Sequence, residues 1–301
     1  MNSVVESCKD SEFASYLSDN IINNKIVHDY NIRIQFQTNV LKTLIAKLEK
    51  EGICVHDDIY NRFGDLVGQT DEEQVDRVYL RPNLKDVMAV FTESAQQLSK
   101  GTTGLSVWQA SCDLANLCSI LPISSSTILE LGAGCGVSGI STAAKYPDST
   151  VYVTDYDENV LNLLKQNVEK NKLTNCHVES IDWFNFKSSQ WKHPIPEFVI
   201  AADVVYDISL LSSLCDVISY FLQNGSKCAI VACTLRNPES LEKFEMECEK
   251  HQLRAIEKIY YENEEYRVNN GISIPHSTLF PFSSTIQTPT IFYNLQISSQ
   301  S

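Results

Sequence analysis

Positive charge is scarce in this 301-residue chain: 24 Lys plus Arg stand against 38 Asp plus Glu, a formal net charge of −14 at pH 7. Proteins that gain affinity by releasing phosphate counterions normally carry a basic domain, so the shortage argues against a nucleic-acid partner. Long apolar runs are also missing. Uninterrupted stretches reach about half a dozen residues, far below the ~18 that a membrane-spanning helix needs, so no membrane role is expected. Residues 1–10 lack a basic segment followed by an apolar one, so no secretory signal is expected and the chain reads as cytoplasmic. The ten cysteines include no Cys-x-x-Cys pair, and the histidines show no metal-ligand spacing. Local chelate pairs are what zinc sites are built from, so plain reduced thiols and no metal are expected. With 43% apolar and 21% charged residues, disorder and fibrous structure are excluded as well.

What is present changes character near residue 100. Before it, Leu41, Leu44, Ile45 and Leu48 repeat at i, i+3, i+4, i+7, the mark of an amphipathic helix, and Gly52 supplies a stop. A second helix is expected over 59–66, with short extended runs at 77–80 and 86–92. Residues 1–100 thus form a mixed, mainly helical accessory segment without a catalytic motif, a packing or lid element rather than a dedicated docking module. From residue 101 to 301, short β-rich runs alternate with helical patterns, the signature of βαβ units and a parallel sheet. Seven strands are expected, at 127–131, 150–155, 177–182, 198–203, 227–235, 254–261 and 290–297. Helices are expected at 137–145, 157–170, 208–222 and 238–251, and Pro238 suits a first helical turn. The polar stretch 262–289 reads as the one long loop.

The sharpest local signal is Ile128-Leu129-Glu130-Leu131-Gly132-Ala133-Gly134-Cys135-Gly136-Val137-Ser138-Gly139. A strand enters a glycine-dense turn and a helix follows, so bare backbone N–H groups can approach a ligand at a helix N-terminus. Asp155 ends the next strand about twenty residues on, where a ribose diol would be hydrogen-bonded. Both dinucleotide dehydrogenases and S-adenosylmethionine methyltransferases use this arrangement. The first needs a pyrophosphate partner, whereas the methyl donor presents an ammonium and a sulfonium. Glu130, two residues before the first glycine, can brace the loop or face that cationic part, and the methyl donor is favoured.

Residues 198–207 read as a buried strand that ends in Asp203, with Tyr206 three positions later. Strand carboxyl ends line the ligand crevice in open α/β sheets, so Asp203, Asp155 and the glycine loop should share one rim. Methyl transfer needs an aimed, desolvated nucleophile. A lysine amine suits this site, with Asp203 orienting it and Tyr206 narrowing the channel. The amine must first lose a proton from a free pKa near ~10.4. Apolar surroundings favour that loss and a carboxylate opposes it, which leaves the proton's acceptor open. The Asp-x-x-Tyr spacing also suggests the Asp-Pro-Pro-Tyr loop of adenine methyltransferases, but Val204 and Val205 replace both prolines. Trp108, after a glycine-containing turn, and Trp183, just past the third strand, lie on the expected rim. Each is either a cofactor contact or ordinary core.

Three motifs resemble those of the seven-β-strand protein-lysine methyltransferases of methyltransferase family 16: Gly104-Leu105-Ser106-Val107-Trp108, Glu130-Leu131-Gly132-Ala133-Gly134-Cys135-Gly136 and Ala202-Asp203-Val204-Val205-Tyr206. Lys100-Gly101-Thr102-Thr103-Gly104, Thr234-Leu235-Arg236-Asn237-Pro238-Glu239 and Leu279-Phe280-Pro281-Phe282 are similar to the branch of the family that acts on elongation factor 2. The resemblance implies an α/β, Rossmann-like seven-stranded methyltransferase sheet with helices on both faces. It also implies S-adenosyl-L-methionine as cofactor, held at Trp108, Gly132, Ala133, Gly134, Asp155, Trp183 and Ala202, with Asp203 and Tyr206 facing the lysine. Translation elongation factor 2 would be the protein substrate, for an enzyme expected to be a monomer. The loop over 262–277 is longer than the family pattern leads one to expect.

Two other classes compete with that reading: a donor-binding interaction protein without turnover, and a nicotinamide-dependent oxidoreductase built on the same glycine loop. The net charge bears on the substrate, since Asp155, Asp157, Asp203 and Asp207 are expected on the reactive rim. An acidic rim would attract a lysine-bearing protein surface.

Overall fold

Strand Thr127–Leu131 shows how the sheet is built, because Leu129 and Leu131 enter one apolar cluster while Glu130 between them points to the opposite face. The period of two buries both sides of the strand, and both sides are covered by helices. The computed structural model describes residues 1–80, 87–262, 265–269, 271–274 and 288–298. It divides into two compact units, Met1–Gln97 and Leu98–Ser301.

The first unit contains α1 (Asn2–Ser7), α2 (Ser11–Leu17), one π-helical turn (Ser18–Ile22), α3 (Ile26–Asp29), α4 (Ile34–Lys50), α5 (Asp57–Leu66) and an antiparallel pair, β1 (Gln74–Leu80) with β2 (Val87–Ser94). The expected stripe Leu41, Leu44, Ile45 and Leu48 is buried in a small core with Val5, Ile22, Ile59 and Leu66. Both expected extended runs fall on these strands, except that Asp86 lies outside the described residues.

The second unit opens with α6 (Gln109–Cys118) and continues β3 (Thr127–Leu131), α7 (Val137–Lys145), β4 (Thr150–Asp155), α8 (Glu158–Lys170), β5 (Cys176–Ser180), β6 (Phe198–Ala202), α9 (Leu211–Gln223), β7 (Cys228–Thr234), α10 (Pro238–Lys250), β8 (Leu253–Glu262), β9 (Glu265–Val268), β10 (Ser273–Ile274) and β11 (Thr290–Ile297). The strands form one sheet in the order β10-β9-β8-β11-β7-β6-β3-β4-β5. From β5 to β7 the neighbours are parallel, and β11 runs antiparallel between β7 and β8. The order reverses at β3, whose neighbours are β4 and β6, which opens a crevice at the strand carboxyl ends.

The seven expected strands form the body of this sheet, but the described sheet has nine. The polar stretch expected to be a loop supplies β9 and β10. Tyr266 explains why: its fully buried ring packs against Tyr261 and Phe292, with centroids 4.7 and 5.7 Å away, and its hydroxyl donates to the Asp113 carbonyl at 2.9 Å. Residues 263–264, 270 and 275–287, including Leu279-Phe280-Pro281-Phe282, lie outside the described residues.

Helix ends follow their local chemistry. Asp157 caps α8 by accepting from the Asn159 and Val160 N–H groups, and Asn237 caps α10 ahead of Pro238. The α6 helix was not anticipated. Ala110 to Cys118 are all buried, so no polar face breaks the pattern into a helical stripe. All ten cysteines are free thiols, eight of them buried. Among the described residues no helix is long and apolar enough to cross a membrane.

Candidate active site

The ends of β3, β4 and β6 and the turn after β5 enclose a cavity of about 480 Å³, within the range of small-molecule sites. All ten residues singled out from the sequence line it: Trp108, Glu130, Gly132, Ala133, Gly134, Asp155, Trp183, Ala202, Asp203 and Tyr206.

The glycine turn is tied down from both sides. Ala133 N–H donates to the Thr154 carbonyl at 2.8 Å, and the Thr154 hydroxyl donates to the Glu130 carbonyl at 2.7 Å. Gly132 has φ +63°, and a Cβ there would sit 2.9 Å from Val204 and 3.1 Å from the Trp183 ring. Any side chain would fill the cradle between those two groups. Gly139 serves packing instead: a Cβ would lie 2.5 Å from the Glu130 carboxylate. That carboxylate is 1% exposed and accepts the Gly139 N–H at 2.8 Å. Burial pushes the Glu130 carboxyl up to about 7, against the hydrogen bonds from Ser138 and Gly139. Of its two roles left open by the sequence, the structure shows the brace, with the same side chain forming part of the cavity wall.

Asp155 uses its carboxylate locally. One oxygen accepts from Tyr156 N–H at 2.8 Å and Asp157 N–H at 3.2 Å, and the other accepts from Gly134 N–H at 3.3 Å. A carboxylate has about four acceptor positions, so one remains for a hydroxyl in the cavity. Burial raises its pKa and those three N–H groups oppose the shift.

Five carboxylates line the cavity, Glu130, Asp155, Asp182, Asp203 and Asp207, and no Lys or Arg is among its described lining residues. A pyrophosphate would meet repulsion here, whereas a ligand carrying an ammonium and a sulfonium is favoured. Asp182 joins the acidic residues expected from the sequence. Asp157 departs from them, since it serves as the α8 cap and is not part of the lining. Tyr156, at the mouth, has its pKa raised by burial first and then by Asp157, Asp155 and Asp182, among other neighbours.

Asp203 sits just past β6 with φ +51°, a left-handed conformation costly for most side chains but tolerated by Asp. Its carboxylate accepts from the Thr234 N–H at 3.0 Å, the Thr234 hydroxyl at 3.0 Å and the Ala110 N–H at 3.3 Å. Those bonds fix the strained turn between β7 and the start of α6. A second cavity of about 200 Å³ shares Thr103, Trp108, Asp203 and Tyr206 with the first and adds Thr234 and Arg236. Tyr206 is 62% exposed at this junction. The Trp108 indole N–H donates to the Thr103 carbonyl at 3.0 Å, and the Arg236 guanidinium lies 5.0 Å from the indole. Sequence reasoning placed Thr234 and Arg236 in a motif but not in the site; their position directly after a strand on the crevice rim was the available signal.

The residues present fit S-adenosylmethionine. A glycine cradle faces an indole, a carboxylate at the end of β4 keeps an acceptor position, and the wall is anionic where the ligand is cationic. A family model described as lysine methyltransferase matches residues 92–251. The human protein-lysine N-methyltransferase EEF2KMT is 27% identical over 272 residues, covering 82% of this chain and 80% of its own length. The protein-lysine N-methyltransferase EFM3 of Saccharomyces cerevisiae is 27% identical over 254 residues, covering 76% of this chain and 73% of its own length. Among solved structures, a candidate S-adenosylmethionine-dependent methyltransferase from Streptococcus mutans matches with a TM-score of 0.51 at 12% identity, over 80% of this chain and 65% of its own, a likeness of fold alone. This chain therefore belongs to the lysine methyltransferase family: it is an S-adenosylmethionine-dependent enzyme that methylates lysine in a protein substrate.

Proposed function

We propose that the substrate is translation elongation factor 2, which the name EEF2KMT of the mammalian relatives suggests, and that the enzyme works as a cytoplasmic monomer. The observation that carries the chemical reading is the cavity wall of five carboxylates with no described Lys or Arg. It suits both a cationic donor and a basic target segment.

The bound donor supplies an electrophilic methyl carbon on a sulfonium. In this reading Gly132, Ala133 and Gly134 provide the backbone cradle, Asp155 takes a ribose hydroxyl, and Trp108, Trp183 and Ala202 shape the remainder of the site. Glu130 keeps the cradle in place through Gly139. Asp203 and Tyr206 lie where the two cavities meet and direct the lysine amine, and the smaller cavity admits the lysine stem. The amine reaches the methyl carbon after giving its proton to solvent. Residues 1–97 form an accessory unit and residues 98–301 carry the transfer.

Purified elongation factor 2 incubated with this protein and methyl-labelled donor should acquire label. Absence of label, with S-adenosylhomocysteine binding intact, would overturn elongation factor 2 as substrate.

A further inference from the structure

Arg236 occupies the place that a protonated lysine would choose. Its guanidinium lines the smaller cavity, 5.0 Å from the Trp108 indole and 3.8 Å from the Asp203 carboxylate, two residues that the smaller cavity shares with the larger. An aromatic face beside a carboxylate is a favourable seat for a cation. The arginine is held there from both sides of its backbone. Its N–H donates to the Thr234 carbonyl at 2.7 Å, Leu235 N–H donates to the Pro289 carbonyl at 2.9 Å, and Asn237 begins α10 immediately after.

This arrangement matters because a lysine nucleophile must arrive without its proton. Asp203 alone would hold the amine as ammonium, which has no lone pair for attack. A guanidinium stays charged at every working pH. Placed beside the same carboxylate, it offsets the attraction that keeps the proton on the amine. We propose that Arg236 is a positioning residue that makes the lysine channel select the uncharged amine.

The ammonium releases one proton to water. The amine's lone pair then forms the N–C bond as the C–S bond breaks, and its electron pair stays on sulfur. The positive charge moves from sulfur to nitrogen, so charge and atoms balance. The other groups facing Arg236 do not replace it. Tyr206 past β6 carries a neutral phenol, and Cys233 is a buried thiol on β7 whose pKa burial holds well above the usual value. Asp113 on α6 lies near Asp203, but burial pushes its carboxyl up to about 7, so it supplies no cation that could replace Arg236.

The inference rests on the lysine-methylation reading, and its test has two arms. In the first, the pH profile of kcat, which reports the amine in the enzyme–substrate complex, is measured with elongation factor 2 for the wild type, Arg236→Gln and Arg236→Lys. The rising limb should move to higher pH by about one unit or more in the Gln variant, and return in the Lys variant, which restores a cation. In the second, n-butylamine serves as a side-chain probe in the presence of S-adenosylhomocysteine, with binding followed by saturation-transfer NMR. Wild-type binding should strengthen as the amine loses its proton at high pH, and the Gln variant should prefer the ammonium at neutral pH. Unchanged pH dependence in the butylamine arm overturns the proposal, as does an equal loss of turnover at all pH values in the first. No turnover on elongation factor 2, with the butylamine preference inverted, overturns the substrate and leaves the role of Arg236 standing. Arg236 is exposed, and thermal melts of both variants check that they fold.

Discussion

The Glu130 carboxylate accepts the Gly139 N–H at 2.8 Å, joining the last turn of the central strand to the first turn of the helix behind the glycine loop. The glycine turn proposed to hold the donor depends on that short bridge, and the bridge depends on a residue without a side chain. In Gly139→Ala the new Cβ would lie 2.3 Å from Val153 Cγ1 and 2.5 Å from Glu130 Oε2. Overpacking of this kind costs about 1–3 kcal/mol. Urea denaturation should show that loss, and calorimetry should show weaker S-adenosylhomocysteine binding. Wild-type values for both would remove Glu130 as the brace.

Asp203 predicts a separation of binding from transfer. Asp203→Asn keeps a side chain that tolerates the left-handed backbone and removes the charge. Donor binding should stay near wild type, while turnover should fall about a hundredfold, the scale on which misplacement of a reacting group acts. Single-turnover kinetics beside calorimetry checks this. Equal loss in both would make Asp203 a structural residue only.

The pH dependence of stability has an identifiable source in α6. Burial pushes the Asp113 carboxyl up to about 7 from 3.8, and its Oδ1 is buried without a partner among the described residues. The folded state therefore holds this proton more tightly than the unfolded state. Its contribution is fully present below the unfolded pKa and is lost as pH rises through about 7. Denaturation of the wild type and Asp113→Asn should show a stability difference that moves in the variant's favour between about pH 4 and 7 and is flat above. A pH-independent difference would contradict the assignment.

How far the sequence carried depended on the kind of constraint. Strands β3 and β4 were legible to the residue because β-branched apolar runs end in glycine or aspartate. The ten residues singled out from the sequence gather around one cavity because their elements end on one crevice. What stayed hidden was set by burial on all sides or by distant partners. The α6 helix has no polar face to reveal its period. Tyr266 holds β9 in the sheet through Asp113, far away along the chain. Arg236 acquires meaning only once β6 and β7 lie side by side and place it over Trp108 and against Asp203.

The acidic rim carries a kinetic consequence. With Asp155, Asp182, Asp203 and Asp207 at the cavity, a lysine-bearing protein surface should be drawn in electrostatically, and that attraction is screened over about 8–10 Å at moderate salt. Raising ionic strength should lower kcat/KM for the protein substrate while affecting kcat little. A salt-insensitive kcat/KM would rule out steering by this rim.

The most direct test of the central claim is mass spectrometry of elongation factor 2 after reaction with this enzyme and a deuterated methyl donor. The account predicts deuterated methyl groups on a lysine Nε, and their loss when Asp203 is replaced by asparagine. Methyl groups on another residue type, or on a nucleic acid or small molecule in place of the protein, would contradict it.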